Sequence, residues 1–126
     1  MSKEAAVLKK CLLAAGRILI KYFRHTGYYL KGPSNLLTRA DIESQKLIIG
    51  LVKKYFPGHD YFAEENQKHS TGSRHLWVID PLDGTTNYAH GFPMACVSIG
   101  LLKDNKPFAG GICVYNYKFI ARLFQI

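Results

Sequence analysis

The run Trp77-Val78-Ile79-Asp80-Pro81-Leu82-Asp83-Gly84-Thr85-Thr86-Asn87 constrains this chain more than any other stretch. Apolar residues lead into two aspartates three positions apart, and Gly-Thr-Thr follows at what reads as a helix start. Pro81 stiffens the turn between Asp80 and Asp83, so both carboxylates can face one hard cation. Gly84 and Thr85 can offer backbone N–H groups and a hydroxyl to an anion, because the first turn of a helix leaves its donors unpaired. A divalent-metal site beside a phosphate site is the layout that metal-assisted phosphoester hydrolysis requires.

Charge supports this. The chain has 126 residues and a net charge of +8, with 17 Lys and Arg against nine Asp and Glu. Five of those acids (Asp41, Glu64, Glu65, Asp80 and Asp83) fall in three short segments: the run above, Phe62-Ala63-Glu64-Glu65-Asn66 and Leu36-Leu37-Thr38-Arg39-Ala40-Asp41. The basic residues are spread along helical stretches with no aromatic interleaving, which reads as a solvated face and disfavours a nucleic-acid surface. The apolar content of 48% suits one domain with a real core. No apolar run approaches the ~20 residues of a membrane span, and Met1-Ser2-Lys3-Glu4 opens no signal peptide. Cys11, Cys96 and Cys113 sit among apolar neighbours, as expected of buried free thiols in a reducing cytoplasm. The histidines show no paired ligand spacing, which disfavours zinc.

Hydrophobic periodicity predicts a first helix from about Lys3 to Phe23, and a second from an N-cap at Thr38 to about Phe56, with Leu47, Ile48, Leu51, Val52 and Tyr55 inward. Tyr28–Ser34 reads as a loop or ragged hairpin. Strands are expected at Asp60–Ala63, Leu76–Ile79, Met94–Leu102, Phe108–Tyr115 and Phe119–Phe124, with Gln67–His75 a polar loop and Lys103–Pro107 a connection. Helices first and strands afterwards argue an α+β fold, two helices on a mainly antiparallel sheet.

The three acidic segments closely resemble motifs of the inositol monophosphatase family: W-x-I-D-P-[IL]-D-G-T-T-N-[FY], G-E-E-S and L-V-T-x-x-D. The likeness continues through Tyr88-Ala89-His90-Gly91-Phe92-Pro93. It covers the chain to about Tyr115. Ala63 replaces the glycine usual before the Glu pair. The family's C-terminal motif W-D-x-A-A-G is absent, and Asn116–Ile126 reads unlike the family's usual continuation. The expectation is thus one truncated domain over residues 1–126, equivalent to the first half of the family's layered fold. An internal deletion, a frameshifted tail and a degraded gene all remain open as its origin.

The resemblance implies a Mg²⁺-dependent phosphomonoesterase acting on inositol monophosphate or a similar small polyol phosphate, with two or three ions, lithium sensitivity and a homodimeric state. Asp80 would bridge two ions, Glu64 and the Leu82 carbonyl would complete the first, and Asp83 would serve the second with an aspartate of the missing motif. Glu64 and Thr85 would orient the attacking water, Thr85 held by Asp41. Gly84 and Thr85 would bind phosphate. Glu65, on a strand and facing away from Glu64, and Lys31 are outer candidates. Each role has a plainer rival: Asp41 as a capping acid, Thr85 as an N-cap, Glu65 as an exposed acid, His90 as a turn residue and Trp77 as core. At the level of the whole chain, the rivals are an inactive remnant that still binds metal and phosphate, and a sister-family sugar bisphosphatase.

Overall fold

The computed structural model describes residues 1–32, 35–65, 67–115 and 119–125. Pro33, Ser34, Asn66, Asn116–Lys118 and Ile126, parts of the stretches read above, lie outside them. Helix α1 (Lys3–Tyr22) begins where the Ser2 hydroxyl accepts the Ala5 N–H, and buries Leu8, Cys11, Leu12, Ala15 and Leu19 along one stripe. An antiparallel pair follows, β1 (Tyr28–Gly32) with β2 (Asn35–Thr38), its register shifted between Leu30 and Gly32. Of the two readings of this stretch, the ragged hairpin holds.

Helix α2 (Arg39–Tyr55) starts at Thr38 with a reciprocal cap: the Thr38 hydroxyl accepts the Asp41 N–H, and the Asp41 carboxylate accepts the Thr38 N–H. Its buried face is rotated from the one expected. Ile48 and Val52 are inward, but Leu47, Leu51 and Tyr55 are only partly covered, while Ser44, Gln45 and Ile49 are buried. Ser44 and Gln45, polar side chains in mid-helix, are inward because they have backbone partners across the fold.

The six-stranded sheet runs β4-β3-β5-β6-β7-β8, comprising β3 (Asp60–Ala63), β4 (Gln67–His69), β5 (His75–Asp83), β6 (Ala95–Lys103), β7 (Lys106–Tyr115) and β8 (Phe119–Gln125). Only the β3–β5 pairing is parallel. The fold is therefore the expected α+β arrangement of helices on a mainly antiparallel sheet. Two connections differ from the reading. Gln67–His69 is strand, closing on β3, where a polar loop was expected. The β6–β7 link is a two-residue turn whose Asp104 and Asn105 both take positive φ (53° and 62°), the geometry that matches strand twist in tight hairpins.

Both helices cover one face of the sheet. Trp77, Ile79, Val97, Ile99 and Leu101 point into it, each at most 2% exposed. The Trp77 indole N–H donates to His59 Nδ1 at 3.1 Å, so Trp77 is core, as its plainer reading held. The other face carries Phe62, Val78 and Ile112, between 41% and 52% exposed. Among the described residues no helix is long and apolar enough to cross a membrane.

Gly111, on β7, lies where the sheet packs closely against α1. A Cβ there would collide with Leu12 Cδ1 and lie 2.9 Å from the Arg122 carbonyl oxygen, whereas a Cβ at Gly100 would meet nothing within 4 Å. Gly111→Ala is expected to lose about 1–3 kcal/mol of stability by overpacking. Gly100→Ala should stay within about 0.5 kcal/mol of wild type. Paired urea melts check both values.

Candidate active site

β5 delivers the acids. Its pairing with β6 is regular to Asp80, then shifts before Asp83. Within that irregularity the Leu82 N–H donates to Asp80 Oδ1 at 3.2 Å, folding Asp80-Pro81-Leu82-Asp83 into a turn. The parallel neighbour β3 ends alongside: the Glu64 N–H donates to the Ile79 carbonyl at 3.1 Å, which sets Glu64 beside Asp80. Glu64 and Glu65 lie in a turn after β3 rather than on the strand. The expected strand alternation between them therefore fails.

Gly84 precedes helix α3 (Thr85–Ala89) in the left-handed conformation, φ 87°, and a Cβ there would come within 2.8 Å of the Met94 carbonyl oxygen. Only glycine suits both conditions. The cap position belongs to Gly84, so the N-cap reading of Thr85 is overturned. The Thr85 hydroxyl instead lies 2.9 Å from Asp41 Oδ1 and 3.1 Å from the Leu82 carbonyl. With one proton to give, it favours the carboxylate, the stronger acceptor. Asp41 thus both caps α2 and holds Thr85; the two readings of that residue coexist. Tyr88 secures the far end of α3 by donating its hydroxyl to the Leu19 carbonyl at 2.6 Å. His90 ends α3 with its Nδ1 2.7 Å from the Thr86 carbonyl, as its turn reading held.

These pieces border a cleft of about 260 Å³ lined by Lys31, Glu64, Leu82, Asp83, Gly84 and Thr85, among others. Asp80, half-buried, is not part of that lining but lies within hydrogen-bonding reach of Glu64, which is; Asp41 is fully buried behind Thr85. Lys31 Nζ donates to both carboxylate oxygens of Glu65, at 2.9 and 3.1 Å, so the two outer candidates pair with each other. Cys96 is only half-buried, and its thiol donates to Asp83 Oδ2 at 3.7 Å. Burial, with Asp83 and Asp80 nearby, pushes that thiol up to about 11, so it stays protonated.

The acids are crowded. Burial, then the Glu64 carboxyl within hydrogen-bonding reach, then the charge of Asp83, push Asp80 up to about 7. Such crowding is what a cation would relieve. Among the described residues, no three His, Cys, Asp or Glu side chains converge on one point. The donor set is thus two or three carboxylates and a carbonyl rather than a closed cage. That suits a hard, partly hydrated ion such as Mg²⁺, which keeps several waters.

The sequence pattern of the inositol monophosphatase family matches residues 1–124. The chain belongs to that family. Inositol monophosphatase 2 of Solanum lycopersicum is 44% identical over 118 residues, spanning 90% of this chain and 42% of that protein. The fructose-1,6-bisphosphatase/inositol-1-monophosphatase of Aquifex aeolicus is 36% identical over 115 residues, 89% of this chain and 44% of that one. The crystal structure of the extragenic suppressor protein SuhB from Bartonella henselae superposes with a TM-score of 0.83 at 30% identity, covering 97% of this chain and 52% of the other. This member of the family therefore spans less than half the length of those two curated relatives, and its architecture is that of about half the family fold.

The acid cluster makes stability depend on pH. Asp80 titrates higher in the folded protein than in the unfolded chain, so the fold holds an extra proton between the ordinary carboxylate value and about 7. Metal-free protein should therefore lose stability as pH rises across roughly 4 to 7. Asp80→Asn should remove that slope and be the more stable protein above pH 7. Urea unfolding across the range measures it; a slope that survives the substitution contradicts the assignment.

Proposed function

We propose that this chain provides the metal- and phosphate-binding part of a Mg²⁺-dependent phosphomonoesterase acting on inositol monophosphate or a similar small polyol phosphate. The observation that supports the reading is one small cleft lined by Glu64, Asp83 and the Gly84–Thr85 helix start, with Asp80 within hydrogen-bonding reach of Glu64. Glu64, Asp80, Asp83 and the Leu82 carbonyl would hold the metal. Bound Mg²⁺ would supply positive charge that polarises the phosphoryl group and makes a water more acidic. The Gly84 and Thr85 amides would donate to the phosphoryl oxygens, where charge grows during transfer. Thr85, fixed by Asp41, would orient the attacking water, and Glu64 would accept its proton. Lys31, neutralised by Glu65, would border the phosphate without dominating it. Lithium inhibition, a homodimeric state and a cytoplasmic location accompany this reading as expectations of the family likeness.

A second reading is binding without turnover. It follows if turnover needs the aspartate of the W-D-x-A-A-G motif, which these 126 residues do not contain.

Phosphate release from inositol 1-phosphate, with and without Mg²⁺, separates the two. The first reading expects metal-dependent release that Asp83→Asn lowers at least about a hundredfold, a loss of the size seen when one charge-stabilising group is removed. Release that survives the substitution contradicts the site assignment. A folded chain that binds Mg²⁺ but releases no phosphate establishes the second reading.

A further inference from the structure

Building on the reading of the cleft as a metal site, we propose that Ser44 and Gln45 are positioning residues that hold the two ligand-bearing turns at their working separation. Asp41, Ser44 and Gln45 stand three and four positions apart on α2 and form one buried polar ridge, at most 5% exposed. Each fastens a different segment. Asp41 holds Thr85. The Ser44 hydroxyl donates to the Pro81 carbonyl at 2.8 Å, between Asp80 and Leu82. The Gln45 amide grips the next turn at two points: its Oε1 accepts the Glu65 N–H at 2.9 Å, and its Nε2 donates to the Glu65 carbonyl at 3.2 Å.

The β3–β5 ladder cannot do this alone. Its register ends at Ala63 and Ile79, with one further bond from Glu64; beyond it Glu64 and Glu65 turn away, while β5 continues to Asp83 irregularly and against β6 alone. Past that point no ladder bond ties the two segments to each other. The ridge on α2 fastens both from the helix side of the sheet. A side-chain amide bonded to both groups of one residue fixes its peptide as a neighbouring strand would. Removing it strands a partly buried donor and acceptor together.

The test measures Mg²⁺ and Mn²⁺ binding to the full chain by calorimetry, alongside amide hydrogen exchange in metal-free protein. The variants are Ser44→Ala, Gln45→Ala and, as a stability control on the same helix, Ile48→Val. Gln45→Ala should weaken cation binding about tenfold or more, the usual effect of losing a group that orients a ligand. Ser44→Ala should show a smaller loss of the same kind. Exchange at Glu65 should quicken in Gln45→Ala while Val52, in the body of α2, stays protected. Ile48→Val should leave affinity unchanged. Wild-type uptake that neither polar variant alters, or an equal loss in Ile48→Val, overturns this inference alone. A wild-type chain that takes up neither cation overturns the metal reading and this inference with it.

Discussion

Asp41 is a carboxylate with no exposure to solvent, and the site depends on how that burial is satisfied. Burial pushes its pKa up, and the donors around it pull against that shift. Thr38 gives it an N–H at 2.8 Å and a hydroxyl at 2.6 Å, and Thr85 a hydroxyl at 2.9 Å. Those bonds start α2 and fix the first residue of α3. A buried acid of this kind is tolerated only when its lone pairs are filled, so two separate stretches of sequence are committed to one point. The cleft is the space left in front of that point.

The electrostatics follow the same logic. The chain is basic overall, yet its acids are gathered where β3 and β5 end side by side. Glu64 and Asp83 raise the cost of ionising Asp80, while Lys31 and Glu65 neutralise each other at the rim. The result is a concentrated negative cluster within an otherwise positive molecule, suited to hold a cation and to admit an anion beside it.

Much of this was legible because local chemistry and tertiary structure agree. Thr38 and Asp41 announce a capping box, and Asp80-Pro81-Leu82-Asp83-Gly84 announces a strand, a turn and a backbone position that only glycine fits. Of the acids singled out in sequence, Glu64 and Asp83 stand close enough to Asp80 to shift its ionisation. What was not legible depends on partners remote in the chain. Ser44 and Gln45 look like solvent-facing polar residues on a helical wheel; only the backbone of Pro81 and Glu65, 37 and 20 residues away, makes them interior. Glu65 does not alternate with Glu64 because β3 ends at Ala63 and both acids lie in the turn that follows. Thr85 looked like a cap because threonine is a good one, but Gly84 takes that position and frees the hydroxyl for Asp41. Cys96 gave no sign that its thiol would face Asp83 across the β5–β6 irregularity.

The central claim is that Glu64 and Asp80, with the Leu82 carbonyl, hold a metal ion and that α2 keeps them in place. Crystals of the chain grown with Mn²⁺ and measured for anomalous scattering test it most directly. The account expects a peak in the cleft, in coordinating contact with the Glu64 and Asp80 carboxylates and the Leu82 carbonyl, and lost in Asp80→Asn. A peak elsewhere, or an empty cleft in crystals that hold Mn²⁺ at other sites, would contradict it.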